Sequence, residues 1–191
     1  MKSQQSAIGL YGGSFDPIHN GHLILARDAR ERLDLAEVVF LPAKISPHKL
    51  DRPPSDPAAR LAMLEAAVAG EEGFRVDDRE LRSEGPSFAI DTARAYRAEF
   101  PDTRLYYFIG DDNLPELDTW REIEVLKQLV QFVILRRTSS PVPVNHPLIG
   151  RLIEISSTEV RKRVARGLSV RYMLPVPVCE VIDRLGLYRD A

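Results

Sequence analysis

The sequence predicts an α/β fold: a doubly wound parallel sheet with helices on both faces and a small helical C-terminal region. Three observations carry this expectation. Short apolar runs of strand length recur along the 191 residues, helical periodicity fills the stretches between them, and Gly, Pro or Asp marks most joints. Strands that alternate with helices are joined by crossovers, which make neighbouring strands parallel. The third observation is a glycine-rich turn between the first apolar run and the first helical pattern, beyond the carboxyl end of a strand, where such sheets hold their ligands.

The elements follow in order. Residues 7–11 read as a short buried strand, and Leu23-Ile24-Leu25-Ala26 opens a helix that fades at Leu33-Asp34. Val38-Val39-Phe40-Leu41 is a second strand, stopped by Pro42. Residues 43–54 form a Pro-rich basic loop, after which Asp56-Pro57 starts a helix with a good N-cap and proline in its first turn. Phe74-Arg75-Val76 is a brief strand, and Ser87 is expected to cap a helix running to Phe100. Leu105-Tyr106-Tyr107-Phe108-Ile109 is the clearest buried strand. Residues 119–129 read as a helix and Phe132-Val133-Ile134-Leu135 as a strand, and a Pro-rich connector leads to a short strand expected at 152–155. One domain is expected over residues 1–191, of which about 156–191 form the helical C-terminal subregion.

Composition narrows the function. With 26 Lys and Arg against 28 Asp and Glu, the net charge is −2, which argues against a general binder of nucleic acid or anionic membranes. Anion binding must therefore be local. Cys179 is the only cysteine, which excludes a disulfide framework or a cysteine zinc cluster and fits a reducing compartment. With no apolar run of membrane-spanning length, a soluble cytoplasmic protein is expected. A homodimer is left open.

The chemistry concentrates in three segments. Gly12-Gly13-Ser14-Phe15-Asp16-Pro17-Ile18-His19-Asn20-Gly21-His22 joins a strand to a helix, so backbone N–H groups and the positive end of the helix dipole offer a phosphate site. His19 and His22, three apart, would present both rings on one side. The turn lacks the Gly-Lys-Ser/Thr ending of a P-loop and the G-x-G-x-x-G of a dinucleotide fold. In Ile155-Ser156-Ser157-Thr158-Glu159-Val160-Arg161, Ser156 and Glu159 fit a capping box, while Arg161, Lys162 and Arg163 make a cationic cluster near a helix N-terminus, where it opposes the dipole unless an anion sits between. In the basic loop, Lys44, His48 and Lys49 could clamp a phosphate. A zinc site built from His19, His22 and His48 lacks a suitably spaced fourth ligand, so no protein-held metal is expected.

The first segment resembles the G-x-F-D-P-x-H-x-G-H signature of the nucleotidyltransferase superfamily, and Ile155 to Arg161 is similar to its I-S-S/A-T-x-I-R motif, with Val160 in place of Ile. Within that superfamily, Pro42 to Lys49 resembles the P-x-x-x-P-P-H-K/R element of the nicotinate mononucleotide adenylyltransferases, with Ser46 at the first of the paired prolines. Gly85 to Thr92 is similar to their G-P-S-Y-T-x-D-T stretch, Ile109 to Asp112 to their I-G-x-D, and Leu117 to Trp120 to their L-x-x-W. The likeness runs almost end to end, through Leu187-Tyr188-Arg189.

The resemblance implies a Rossmann-like fold and transfer of an adenylyl group from ATP to nicotinate mononucleotide, with Mg²⁺ accompanying ATP. It implies that His19 and His22 are catalytic, and that Gly12, Gly13, Ser14, Phe15, Ser156, Ser157, Thr158 and Arg161 join them in binding ATP. Lys44, His48, Lys49, Ser87, Phe88, Ala89, Asp112, Trp120 and Arg137 would bind the acceptor, with Trp120 stacked on the pyridine ring. Three departures stand out: Ala89 replaces a threonine, Glu116 replaces an aromatic residue and would repel nicotinate if it faced inward, and Arg136-Arg137-Thr138 replaces Arg-Pro. Rival readings are the same chemistry on nicotinamide mononucleotide or phosphopantetheine, and a nucleotide-binding protein without turnover. Single-stranded RNA binding lacks the interleaved aromatics it needs.

Overall fold

The computed structural model describes residues 6–45, 54–136 and 146–189. A six-stranded parallel sheet has the order β3-β2-β1-β4-β5-β6. Its strands are β1 (Ala7–Gly13), β2 (Glu37–Pro42), β3 (Phe74–Val76), β4 (Arg104–Gly110), β5 (Gln131–Arg136) and β6 (Leu148–Gly150). The chain winds outward from β1 to β3, then returns to lay β4 on the other side of β1. The order therefore reverses between β1 and β4, and their carboxyl ends part to leave a crevice.

Side-chain alternation in the central strands splits the core into two layers. Leu105, Tyr107 and Ile109 pack with Ile8, Leu10, Val39 and Leu41 on one face, beneath helices α4 (Ala89–Glu99) and α5 (Ile123–Leu129). Tyr106 and Phe108 turn to the other face with Tyr11, Phe40 and Val133. That face is covered by α1 (Asn20–Arg32), α2 (Pro57–Val68), α6 (Ser157–Ala165) and α7 (Val176–Leu185). Gly9 lies in this second layer because a Cβ there would meet Phe108 at 2.6 Å and Leu35 at 2.9 Å. The C-terminal helix α7 packs along α2, which carries the end of the chain back towards the glycine turn.

Several elements differ from the sequence expectation. Ser87 does not cap α4: its Oγ accepts from the Lys44 N–H at 2.9 Å, and Phe88 stands at the N-cap. The helix expected at 119–129 starts only at Ile123 as α5, after a 3-10 helix (Asp111–Thr119) that ends where it was to begin and a left-handed φ of 52° at Glu122. An ion pair from Arg94 to Glu122 at 2.6 Å accompanies that turn. The last strand is Leu148–Gly150 rather than 152–155, paired with β5 through Ile134 and Leu148. Ile155 instead packs on the core as irregular chain. The one-turn helix α3 (Arg79–Arg82) has no counterpart in the sequence reading.

Candidate active site

The glycine turn leaves β1 at the switch point. Phe15 holds a φ of 45°, a left-handed conformation that costs a bulky side chain energy and is characteristic of functional turns. His19 stands at the N-cap of α1 and His22 in its first turn, with their rings stacked at 3.6 Å and 20°. The His19 N–H donates to Nδ1 of His22 at 3.3 Å, so a neutral His22 ring carries its proton on Nε2, the atom able to donate to an anion. The His19 ring is fully buried and His22 half-buried, with Phe15 edge-on to His22 at 5.2 Å. His22 is thus the more exposed of the two rings, and His19 backs it.

The second anion element is stitched to the first. Ser157 donates to the Pro17 carbonyl at 2.9 Å, and Arg161 donates to the Asp16 carbonyl at 2.6 Å and to Thr158 Oγ1 at 3.3 Å. Ser156 caps α6 by accepting from the Glu159 N–H at 3.1 Å. Two helix N-termini, two histidines and a guanidinium therefore converge on one turn.

Beyond the glycines lies a cavity of about 290 Å³. Gly12, Gly13 and Ser14 form one wall, Ser87, Phe88 and Ala89 another, and Gly110, Asn113, Thr119, Trp120 and Arg121 a third. Trp120 meets Tyr107 edge-on at 6.1 Å and Phe132 edge-on at 6.2 Å, which fixes the plane of the indole at the cavity wall. Gly12 admits the Tyr107 hydroxyl, which a Cβ there would meet at 2.7 Å. The Asp112 carboxylate folds back over Gly110, where a Cβ would collide with it, and the residue is exposed at the strand end. Lys44 turns its ammonium to the Ser83 carbonyl, 2.6 Å away, rather than to the glycine turn. His48, Lys49 and Arg137 lie outside the described residues.

Four groups in this region have no assigned place in the sequence reading. Glu116 is exposed, and the acid that does line the cavity is Glu80, buried and accepting from the Thr92 hydroxyl at 2.6 Å. Burial raises its pKa above the usual carboxylate value, against the lowering effect of Thr92 and Ser87. Tyr107, also buried, has its pKa raised by desolvation and by Glu80, so it remains a neutral phenol. Arg121 extends over the Phe88 ring at 4.8 Å, with long ion pairs of 3.8 and 3.9 Å to Asp91 and Glu122. Arg60 is fully buried behind the turn. A sequence signal existed for Arg60 alone: it shares the apolar stripe of α2 with Met63, Leu64 and Ala67, where an arginine needs a polar partner.

Comparison with known proteins agrees with this geometry. Residues 10–163 match the cytidylyltransferase-like family model. The chain is 44% identical to the probable nicotinate-nucleotide adenylyltransferase of Opitutus terrae, over 96% of this chain and 98% of that one. It is 40% identical to the protein of the same description from Geobacillus thermodenitrificans, over 95% and 85% of the two chains. The chain belongs to the cytidylyltransferase-like family of nucleotidyltransferases and, within it, to the nicotinate-nucleotide adenylyltransferases. The fold matches that of Plasmodium falciparum nicotinic acid mononucleotide adenylyltransferase complexed with NaAD, with a TM-score of 0.79 at 20% identity, covering 97% of this chain and 98% of that one. Among the described residues no helix is long and apolar enough to cross a membrane.

Proposed function

We propose that this protein transfers the adenylyl group of ATP to the phosphate of nicotinate mononucleotide, forming deamido-NAD and pyrophosphate in the cytoplasmic synthesis of NAD. The observation that carries the reading is the juxtaposition of two anion-binding helix starts, joined through Ser157 and Arg161, with a cavity walled by Trp120 at the sheet's switch point.

The phosphate oxygen of the mononucleotide attacks the α-phosphorus, the bond from that phosphorus to the oxygen leading to the β-phosphorus breaks, and pyrophosphate departs with the electron pair. The nucleophile is already anionic near neutral pH, so no strong general base is required, and the work is alignment and charge neutralisation. His22 donates through Nε2 to the phosphates, with His19 holding its ring in place. Arg161 and the N-terminus of α6 take the outer phosphates. Mg²⁺ accompanying the triphosphate would supply further charge neutralisation as pyrophosphate departs.

The pyridine ring lies against Trp120. Arg121 beside it supplies positive charge that favours a carboxylate over an amide, the exposed position of Glu116 removes one source of repulsion, and the raised pKa of Glu80 lessens another. The test is pyrophosphate release with MgATP against nicotinate mononucleotide, nicotinamide mononucleotide and phosphopantetheine in parallel, with the product identified by mass. The acid nucleotide is expected to be preferred; activity on phosphopantetheine alone would refute the assignment.

A further inference from the structure

We propose that Arg60, Asp16 and Tyr188 form a positioning device that fixes the glycine turn, both ends of the basic loop and the C-terminal end of the chain in one geometry, and that turnover depends on it. The proposal rests on the reading that the glycine turn holds ATP phosphates.

Arg60 spreads its guanidinium over four main-chain carbonyls. Nη1 donates to Ser14 and Ala43 at 2.8 Å each, Nε to Ser55 at 2.9 Å and Nη2 to Lys44 at 3.3 Å. Ser14 follows the glycines, Ala43 and Lys44 begin the basic loop, and Ser55 immediately follows it. Ser14 and Ala43 both line the cavity. Asp16 closes the arrangement: one carboxylate oxygen accepts from the Ser55 N–H at 3.1 Å, the other from the Tyr188 hydroxyl at 2.6 Å, and its carbonyl receives Arg161. Tyr188 is placed there by a left-handed φ of 63° just after α7.

Stability alone does not explain this arrangement. A guanidinium with no exposed surface carries a desolvation cost, and that burial lowers its pKa although Asp16 opposes the shift. The neighbouring Met63 and Leu64 show that an apolar side chain would suit the same helix face. What an apolar side chain could not do is hold the four carbonyls together. Each acceptor belongs to a segment that bears or borders the site, so their relative placement is what Arg60 controls.

The test compares Tyr188→Phe, Arg60→Lys and Arg60→Met in the full chain by melting temperature, steady-state kinetics and calorimetric binding of ATP. Tyr188→Phe is expected to stay folded and to lose at least about tenfold in kcat and about threefold in ATP affinity, since small misplacements cost rate more than binding. Arg60→Lys is expected to retain part of what Arg60→Met loses. A folded Tyr188→Phe with kcat within about twofold of the parent, or with unchanged ATP affinity, overturns the proposal. If the parent turns over none of the acceptors, the functional reading fails by itself; ATP affinity still decides the positioning role, weaker binding by Tyr188→Phe supporting it and equal binding refuting it.

Discussion

At the end of the cleft proposed to hold the phosphates, buried or half-buried side chains bond to main-chain carbonyls: Arg60 to Ser14 and Ala43, Arg161 to Asp16, Ser157 to Pro17. At the end proposed to hold the pyridine, the indole of Trp120 is set by ring contacts, edge-on to Tyr107 and Phe132, and a guanidinium lies over Phe88. Hydrogen bonds to the backbone fix where N–H donors point, whereas ring contacts fix a surface and leave its occupant some freedom. The difference teaches how the labour divides. Under the proposed function, the phosphate end serves to stabilise a transition state, and the pyridine end to choose and hold a substrate.

The largest effect expected from this division is that of His22→Ala, which removes the proposed donor to the transferring phosphates. It should lower kcat by about 10²–10³-fold with little change in KM for ATP, read from initial rates of pyrophosphate release. Trp120→Ala should do the opposite. Loss of a stacking surface worth about 1–3 kcal/mol raises KM for the mononucleotide by roughly five- to 150-fold and leaves kcat near the parent value. A fall in kcat with unchanged KM would break the comparison. Arg121→Gln should lower the preference for acid over amide nucleotide by at most about fivefold, because the guanidinium is half exposed and solvent screens it. The ratio of kcat/KM for the two nucleotides measures this.

The smallest effect concerns stability. Burial raises the pKa of Glu80 above the usual glutamate value, so the folded protein binds that proton more tightly than the unfolded chain does. The cost of ionising Glu80 is absent below the unfolded value, grows as pH rises towards the folded one, and is complete above it. Stability of Glu80→Gln relative to the parent should therefore increase with pH across that window. A constant difference between the two denaturation curves from pH 4 to pH 8 would contradict this account of the cavity wall.

Much of this was legible in the sequence, and what was not has physical causes. Strand and helix alternation gave the parallel sheet because burial on both faces makes each central strand a continuous apolar run. The glycine turn and the Ser156 to Arg161 segment were readable because glycines, caps and charges at helix starts act locally. Ser87 was misread as a cap because its real partner, the Lys44 N–H, is 43 positions away. Glu116 was suspected of facing the cavity, but the 3-10 helix turns its neighbour Leu117 into the core and leaves Glu116 exposed. The apolar run at 152–155 resembled a strand, yet Ile153 lies by the start of α1, its Cγ2 3.5 Å from where a Cβ of Gly21 would stand. Glu80 and Tyr188 acquire meaning only through partners distant in sequence, Thr92 for the first and Asp16 for the second.

The division of labour is tested most directly by the double variant His22→Ala/Trp120→Ala, measured beside both single variants for kcat/KM with nicotinate mononucleotide. If the two ends act independently, the double variant loses the product of the single losses to within about twofold. A double variant no worse than His22→Ala alone would show that both ends serve one step, and would contradict the account.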